Sequence, residues 1–239
     1  ADSSWLAAAP LMTETKLSFE ERISGPITEG YGLTEGTLAM TATPARGIWK
    51  QGSVGIPMPD VAIRVVDIET GFKDMAPNEP GEVLIHAPQL MQGYWGRRRE
   101  AAEAIRNGWL YTGDIGYLDE DGYLFLTSRK KDVIKCSGFQ VWPRDVEEIL
   151  SMHPAVAEVC VGGVPDARQV EAVKAWVVLK EGQETTAEEL QEYCRKKLTG
   201  YKVPRYIEFR KSLPKTLVGK VLRRILQEQE KEKLRIRDG

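Results

Sequence analysis

The sequence predicts an α+β protein, a small β-rich, distorted barrel-like part followed by a mixed α+β domain. Three observations carry this expectation. From Gly52 to Thr127, short apolar runs are separated by Gly, Pro, Asn and Asp. Farther along, helical and strand patterns alternate. Between the two textures, "SRKKD" (Ser128–Asp132) is a polar, charged break.

The elements follow in order. Residues 1–43 suggest a helix over Thr13–Ile23, a short strand over Pro26–Glu29 and the glycine-interrupted "EGYGLTEG". Too few elements surround this stretch to bury its apolar faces, so it reads as the last piece of a larger layer. In residues 44–128, "VAIRVVD", "GEVLIHA" and "GYLFLTS" are rich in β-branched and aromatic residues, the strand signature. "DEDGY" (Asp119–Tyr123) is an Asp-Gly hairpin turn. Residues 129–133 separate this part from residues 134–239. There, Pro143 suits the first position of a helix whose one face carries Val146, Ile149 and Leu150. Strands "VAEVCVGGV" and "AVKAWVVLK" come next. Thr186 and Glu189 then have capping-box spacing ahead of a helix with Leu190, Tyr193, Cys194 and Leu198 on one face. A strand "YIEFR", a loop holding Lys220 and a last helix complete the series. The tail "QEQEKEKLRIRDG" shows no apolar face and is expected to fray.

Composition narrows the function. A formal net charge of −2 gives no global case for nucleic-acid binding. No apolar run is long enough to span a bilayer, and the first residues lack the basic start of a signal peptide. Three widely spaced cysteines, Cys136, Cys160 and Cys194, argue for a reducing, cytoplasmic setting rather than a disulfide framework or zinc site. With only His86 and His153, a Ser-His-Asp or His-metal enzyme is short of parts. His153 sits before Pro154 at an expected helix end, where a structural role fits better.

Several short stretches could carry chemistry. Gly30 and Gly32 bracket Tyr31, letting backbone approach a flat ligand over which an aromatic ring could stack. Thr34 and Glu35 then offer a hydroxyl and a carboxylate, suited to phosphate and Mg²⁺. The plain alternative is a turn after a buried strand. Asp114 lies between two glycines on an expected loop, able to take both hydroxyls of a ribose or simply to close an Asx-turn. Arg129 stands beside Lys130, Lys131 and Asp132 as either a solvated linker or a hinge. Lys135 and Gly138 follow, the glycine allowing backbone to pass close to a narrow ligand. Lys220, after Gly219, could be a solvated residue opening the terminal helix.

Taken together and in order, YGLTE, WLYTGD, SRKKDVIKCSGFQVWPRDVEE and PKTLVGKVLRR resemble the adenylate-forming acyl-CoA synthetase superfamily. The resemblance runs from about Gly25 to about Leu226. "NGWLYTGDIGYLDEDGYLFLTSRKK" looks like the signature segment of fatty acyl-CoA synthetases, and "CRKKLTGYKVPRYIEFRKSLPK" is similar to bacterial long-chain enzymes. It implies a carboxylate attack on the α-phosphorus of ATP, giving acyl-AMP, and then displacement of AMP by the CoA thiol. The substrates implied are a fatty acid, ATP and CoA, with Mg²⁺. Gly30, Tyr31 and Gly32 would line the adenine site, with Thr34 on the α-phosphate, Glu35 on Mg²⁺, and Asp114 and Arg129 on the ribose. Lys131 matches the hinge about which a mobile C-terminal domain turns, and Gly138 the passage of the CoA pantetheine arm. Lys135 falls at a position that varies in the family. Lys220 matches the lysine that bridges the attacking carboxylate and the α-phosphate, where a fixed cation stabilises charge gathering on the phosphoryl oxygens. One departure is Leu217-Val218, where relatives usually carry a small or proline-containing step.

The family's Ser/Thr/Gly-rich loop ending in lysine, which grips the β- and γ-phosphates, has no counterpart in this sequence. The expectation is therefore a C-terminal portion of a longer synthetase, inactive alone. Two other readings stay open. One is a stand-alone nucleotide- or CoA-binding regulatory module, with Arg195, Lys196, Lys197, Lys202 and Arg205 facing CoA phosphates, anionic lipid or only solvent. The other is adenylation of an aryl or amino acid. A peripheral membrane contact and a homodimer are both compatible with the chain.

Overall fold

The computed structural model describes residues 4–6, 13–23, 27–44, 46–166, 169–217 and 219–237. The chain divides into two compact units, Ala1–Lys131 and Asp132–Gly239.

The first unit holds two sheets. Strand β1 (Ser4–Leu6) leads to helix α1 (Thr13–Ile23) and to β2 (Ile27–Leu33), which pairs parallel to β1. β3 (Leu38–Ala42) and β4 (Ile56–Pro57) extend that sheet antiparallel. The expected short strand therefore runs on through Gly30, Tyr31 and Gly32, and Pro26 lies outside the described residues. Gly32 permits this because a Cβ there would sit 1.5 Å from the Leu38 carbonyl oxygen across the pair. The second sheet is antiparallel throughout. It consists of β5 (Ala62–Val66), β6 (Gly81–His86), then after helix α2 (Arg98–Ala104) β7 (Ile105–Arg106), β8 (Trp109–Leu118) and β9 (Leu124–Arg129). Its order is β5-β6-β8-β7, with β9 also on β8. Asp119–Tyr123 is the hairpin between β8 and β9, closed by the Asp119 amide on the Tyr123 carbonyl. Tyr31 and Met40 from one sheet pack with Val83, Ile85 and Leu124 from the other, and with Val61 just before β5, in a single core cluster. Residues on either side of position 43 thus share one core cluster.

The second unit is a five-stranded sheet with helices on both faces. β10 (Ile134–Cys136) and β11 (Phe139–Val141) form a hairpin, and helix α3 (Pro143–Ser151) leads to β12 (Val156–Asp166) and β13 (Val170–Leu179). Helix α4 (Ala187–Arg195), with its Thr186–Glu189 capping box in place, precedes β14 (Tyr206–Phe209), parallel to β13. Period-2 alternation decides the faces. Val173, Ala175 and Val177 of β13 join Val146 and Leu150 of α3 and Leu190 and Cys194 of α4. Ala172 and Trp176 point the other way, with Cys160, Leu213 and Leu226. A register shift between Val156 and Glu158 lets even-numbered Val156 join odd-numbered Val161 in the first cluster. The last helix, α5, runs over Arg223–Arg237. The tail expected to fray is thus helical to Arg237, and ion pairs take the place of an apolar face. Buried Lys174 lies 2.7 Å from both Glu208 and Glu230, and Lys233 bonds the same two carboxylates at 3.1 and 2.7 Å. His153, beyond the end of α3, accepts the Ala155 amide on Nδ1 and meets the Tyr193 ring edge-on at 4.9 Å, a structural use.

Candidate functional site

The first unit gathers its share of the site on two strand pairs and one turn. Asp114 is not on a loop. It lies within β8, opposite Arg129 of β9, and is only 6% exposed. Both of its oxygens are held: the Tyr31 hydroxyl donates to Oδ2 at 2.6 Å, and Arg129 Nε stands 2.9 Å from Oδ1. The Asp114 amide donates to the Thr112 hydroxyl, which in turn donates to the Val83 carbonyl. A carboxylate so fixed keeps free lone pairs in one direction and cannot turn away. Tyr31 is 9% exposed and belongs to the core, its hydroxyl committed to Asp114. Burial and then the Asp114 charge push its phenol well above the usual tyrosine range, so it stays a donor. Next to this pair, the Gly113 amide and Lys130 both bond buried Glu82, at 3.3 and 2.7 Å.

Thr34 and Glu35 occupy a 3₁₀ turn, Thr34–Gly36, directly after β2. Glu35 Oε1 accepts from the Tyr94 hydroxyl at 2.8 Å, and its carbonyl accepts from the Met91 amide at 2.7 Å. Thr37 donates its hydroxyl to the Gln89 carbonyl. Segment 89–94 therefore clasps the turn, and burial together with Glu35 raises the Tyr94 phenol. Thr37 (φ 58°) and Leu38 (φ 107°) lie at positive φ in succession, a strained stretch for residues with side chains. Among the described residues no group of three or more His, Cys, Asp or Glu is poised to hold a metal. One carboxylate fits the chemistry of a magnesium ion that draws its other ligands from water and phosphate.

The second unit presents its residues on turns. Lys131, the last residue of the first unit, and Asp132 share a 3₁₀ turn, Lys130–Asp132. Lys135 is exposed on β10, its amide bonded to Glu171 at 2.8 Å. Gly138 (φ 84°) follows Ser137 (φ 50°) in the two-residue turn of the β10–β11 hairpin, where positive φ at both positions is the usual geometry. Nothing lies within 4 Å of a Cβ added at Gly138, so that side of the turn is open. Lys220 is exposed on a tight turn. The Thr216 amide donates to the Lys220 carbonyl at 2.9 Å, the Lys220 amide to the Thr216 hydroxyl at 3.1 Å, and the Gly219 amide to the Thr216 carbonyl at 2.9 Å. Gly219 (φ 82°) is therefore required by the turn rather than by looseness. Val218 lies outside the described residues. Of the basic residues read as anion contacts, Arg195, Lys202 and Arg205 pair with Glu192, Asp145 and Asp166. Arg195 and Arg205 also line a cavity of about 330 Å³ with Cys136, Gln191 and Tyr201. All three cysteines are buried, and burial pushes the Cys160 and Cys194 thiols up to about 12 and about 11.

Sequence reasoning missed Tyr94 and Glu82 as neighbours of the candidate residues and named Lys130 only within the charged break. "GYWG" did set an aromatic between glycines, but nothing in the spacing joined it to Glu35, 59 positions away.

The fold, set beside known proteins, defines the class. Residues 3–95 match the family model of the AMP-binding enzyme, and residues 145–220 match that of the AMP-binding enzyme C-terminal domain. The chain belongs to the AMP-binding, adenylate-forming enzyme family. Within it, the chain is similar to the long-chain-fatty-acid–CoA ligase of Bacillus subtilis (strain 168), 47% identical over 94% of this chain and 40% of the relative. The ligase of the same name from Escherichia coli O157:H7 is 45% identical over 86% of this chain and 36% of the relative. Among solved structures, ATP-bound MatB from Rhodopseudomonas palustris superposes with a TM-score of 0.90 at 31% identity, over 94% of this chain and 44% of that one. The chain thus spans about 40% of the length of the curated relatives it matches.

Proposed function

We propose that this chain carries the ribose-binding and lysine-bearing parts of an AMP-forming ligase that activates a long-chain fatty acid and passes it to CoA. The names of the relatives support the acid, and the doubly held Asp114 carries the nucleotide reading. Asp114 accepts the two ribose hydroxyls on its remaining lone pairs, while Tyr31 and Arg129 stop it from turning. Gly30 and Gly32 let the β2 backbone approach the base. Thr34 donates its hydroxyl to the α-phosphate, and Glu35, aimed by Tyr94, holds Mg²⁺, which when bound neutralises phosphate charge. Lys220 stabilises the α-phosphoryl oxygens as the carboxylate oxygen bonds phosphorus and the bond to pyrophosphate breaks. The second unit turns about Lys131, after which the CoA thiol reaches the acyl carbon past Gly138 and AMP leaves. Lys135 flanks that path.

The direct test is calorimetric binding of AMP to this chain. Asp114→Ala removes two charge-assisted hydrogen bonds and should weaken binding by roughly tenfold to a hundredfold. Equal affinities for the two proteins would overturn the nucleotide reading. The chain is also proposed to have no appreciable turnover alone, since none of its segments resembles the loop that grips the β- and γ-phosphates. Steady AMP release from ATP, Mg²⁺, CoA and a long-chain acid, at several turnovers per second, would overturn that.

A further inference from the structure

The Lys220 turn and the first residue of the second unit are joined by one side chain. Arg223 opens α5, three residues after Lys220. Its Nη1 donates to Asp132 Oδ2 at 2.6 Å, and its Nη2 donates to Glu147 Oε1 of α3 at 2.8 Å. Asp132 directly follows Lys131, 91 positions earlier in the chain. Glu147 is itself buried and accepts the Val161 amide of β12 at 2.8 Å, so the ion pair is tied to the sheet. The turn closes onto this anchor from its other side, because the Leu222 amide donates to the Pro214 carbonyl at 2.8 Å and Lys215 pairs with Val221. The Arg223 side chain is 21% exposed.

We propose that Arg223 is a positioning residue that fastens the Lys220 turn to Asp132, so that the lysine is carried as a rigid extension of the segment that follows Lys131. The idea rests on the reading of Lys131 as pivot and Lys220 as the reactive cation. It explains why a lysine that must be delivered sits on a turn closed by backbone hydrogen bonds and not on a slack loop. The planar fork of arginine reaches two carboxylates at fixed angles, which the single ammonium of lysine does not reproduce.

Hydrogen exchange read by mass spectrometry on the whole chain tests this without requiring any ligase activity. Asp132→Asn and the milder Arg223→Lys should each speed exchange in peptides spanning 130–136 and 215–222 by roughly tenfold, with peptides from 170–179 unchanged. Unchanged exchange in 215–222 would overturn the fastening. Acceleration spread evenly over the second unit would overturn it as well, since that is what a merely structural ion pair gives. Because AMP affinity of the whole chain reports on Asp114 and hydrogen exchange reports on the Lys220 turn, failure of the ligase reading and failure of the fastening remain distinct.

Discussion

The two units handle their candidate residues in opposite ways. In the first, Asp114, Tyr31 and Glu35 are held by side-chain hydrogen bonds from neighbouring strands and segments, and Asp114 and Tyr31 are nearly inaccessible. In the second, Lys135 stands exposed on β10, and Gly138 and Lys220 stand exposed on turns closed largely by backbone hydrogen bonds. The difference follows from the tasks proposed for them. A group that reads a ribose gains by being fixed before the ligand arrives, since the ordering cost is met on folding. A cation that acts in one half of a reaction and withdraws for the other must remain at a surface. The second unit keeps its rigidity in the core beneath, where α3 and α4 cover one face of the sheet and α5 the other.

The comparison can be broken or sharpened in order of effect. Trp176→Ala empties the centre of the α5 face, where the indole is fully buried, and should destabilise the second unit by about 3–5 kcal/mol. AMP affinity in the first unit should stay within about twofold under conditions where both proteins remain folded, since distant sites act nearly independently. A parallel loss of AMP binding would show that the two regions are not independent.

A smaller effect is expected from Glu208. Burial works to raise its carboxyl, but hydrogen bonds from Lys174 and Lys233 outweigh it and bring the pKa down from an ordinary 4.5 to about 2. In the unfolded chain it protonates near 4.5, and in the folded chain only near 2. Its contribution is therefore complete above about pH 4.5 and is lost as the pH falls towards 2. Its size is on the order of 2 kcal/mol. The stability gap between wild type and Glu208→Gln, from urea titrations, should shrink across that window. A gap that does not vary with pH would mean the ion pairs around α5 contribute nothing through this carboxylate.

Lys220→Ala should have the least effect of all on the folded chain. An exposed side chain on a turn closed by its neighbours' backbone should change stability by less than about 0.5 kcal/mol. A thermal shift corresponding to more than 1 kcal/mol would mean the ammonium has a structural contact, and the division between fixed and presented groups would fail at its main residue.

Much of this molecule was legible in its sequence because the information was local. The capping box at Thr186 and Glu189, proline opening α3, the Asp119–Tyr123 hairpin and the alternation in β13 each depend on residues a few positions apart. The ordered motifs were enough to place the chain in its family and to nominate Asp114, Arg129 and Lys220. Where the reading failed, the deciding partner was remote. The tail is helical to Arg237 because Glu230 and Lys233 meet Lys174 and Glu208, which a window of ten residues cannot contain. Asp114 belongs to a strand because β9 pairs beside it, and Tyr31 bonds it from 83 positions away. The sequence by itself determined the elements, the family and the chemical types available at the site. Only the tertiary structure decided which carboxylate each hydroxyl and guanidinium would hold. Those pairings depend on long-range burial and register, which bring together residues that no local pattern connects.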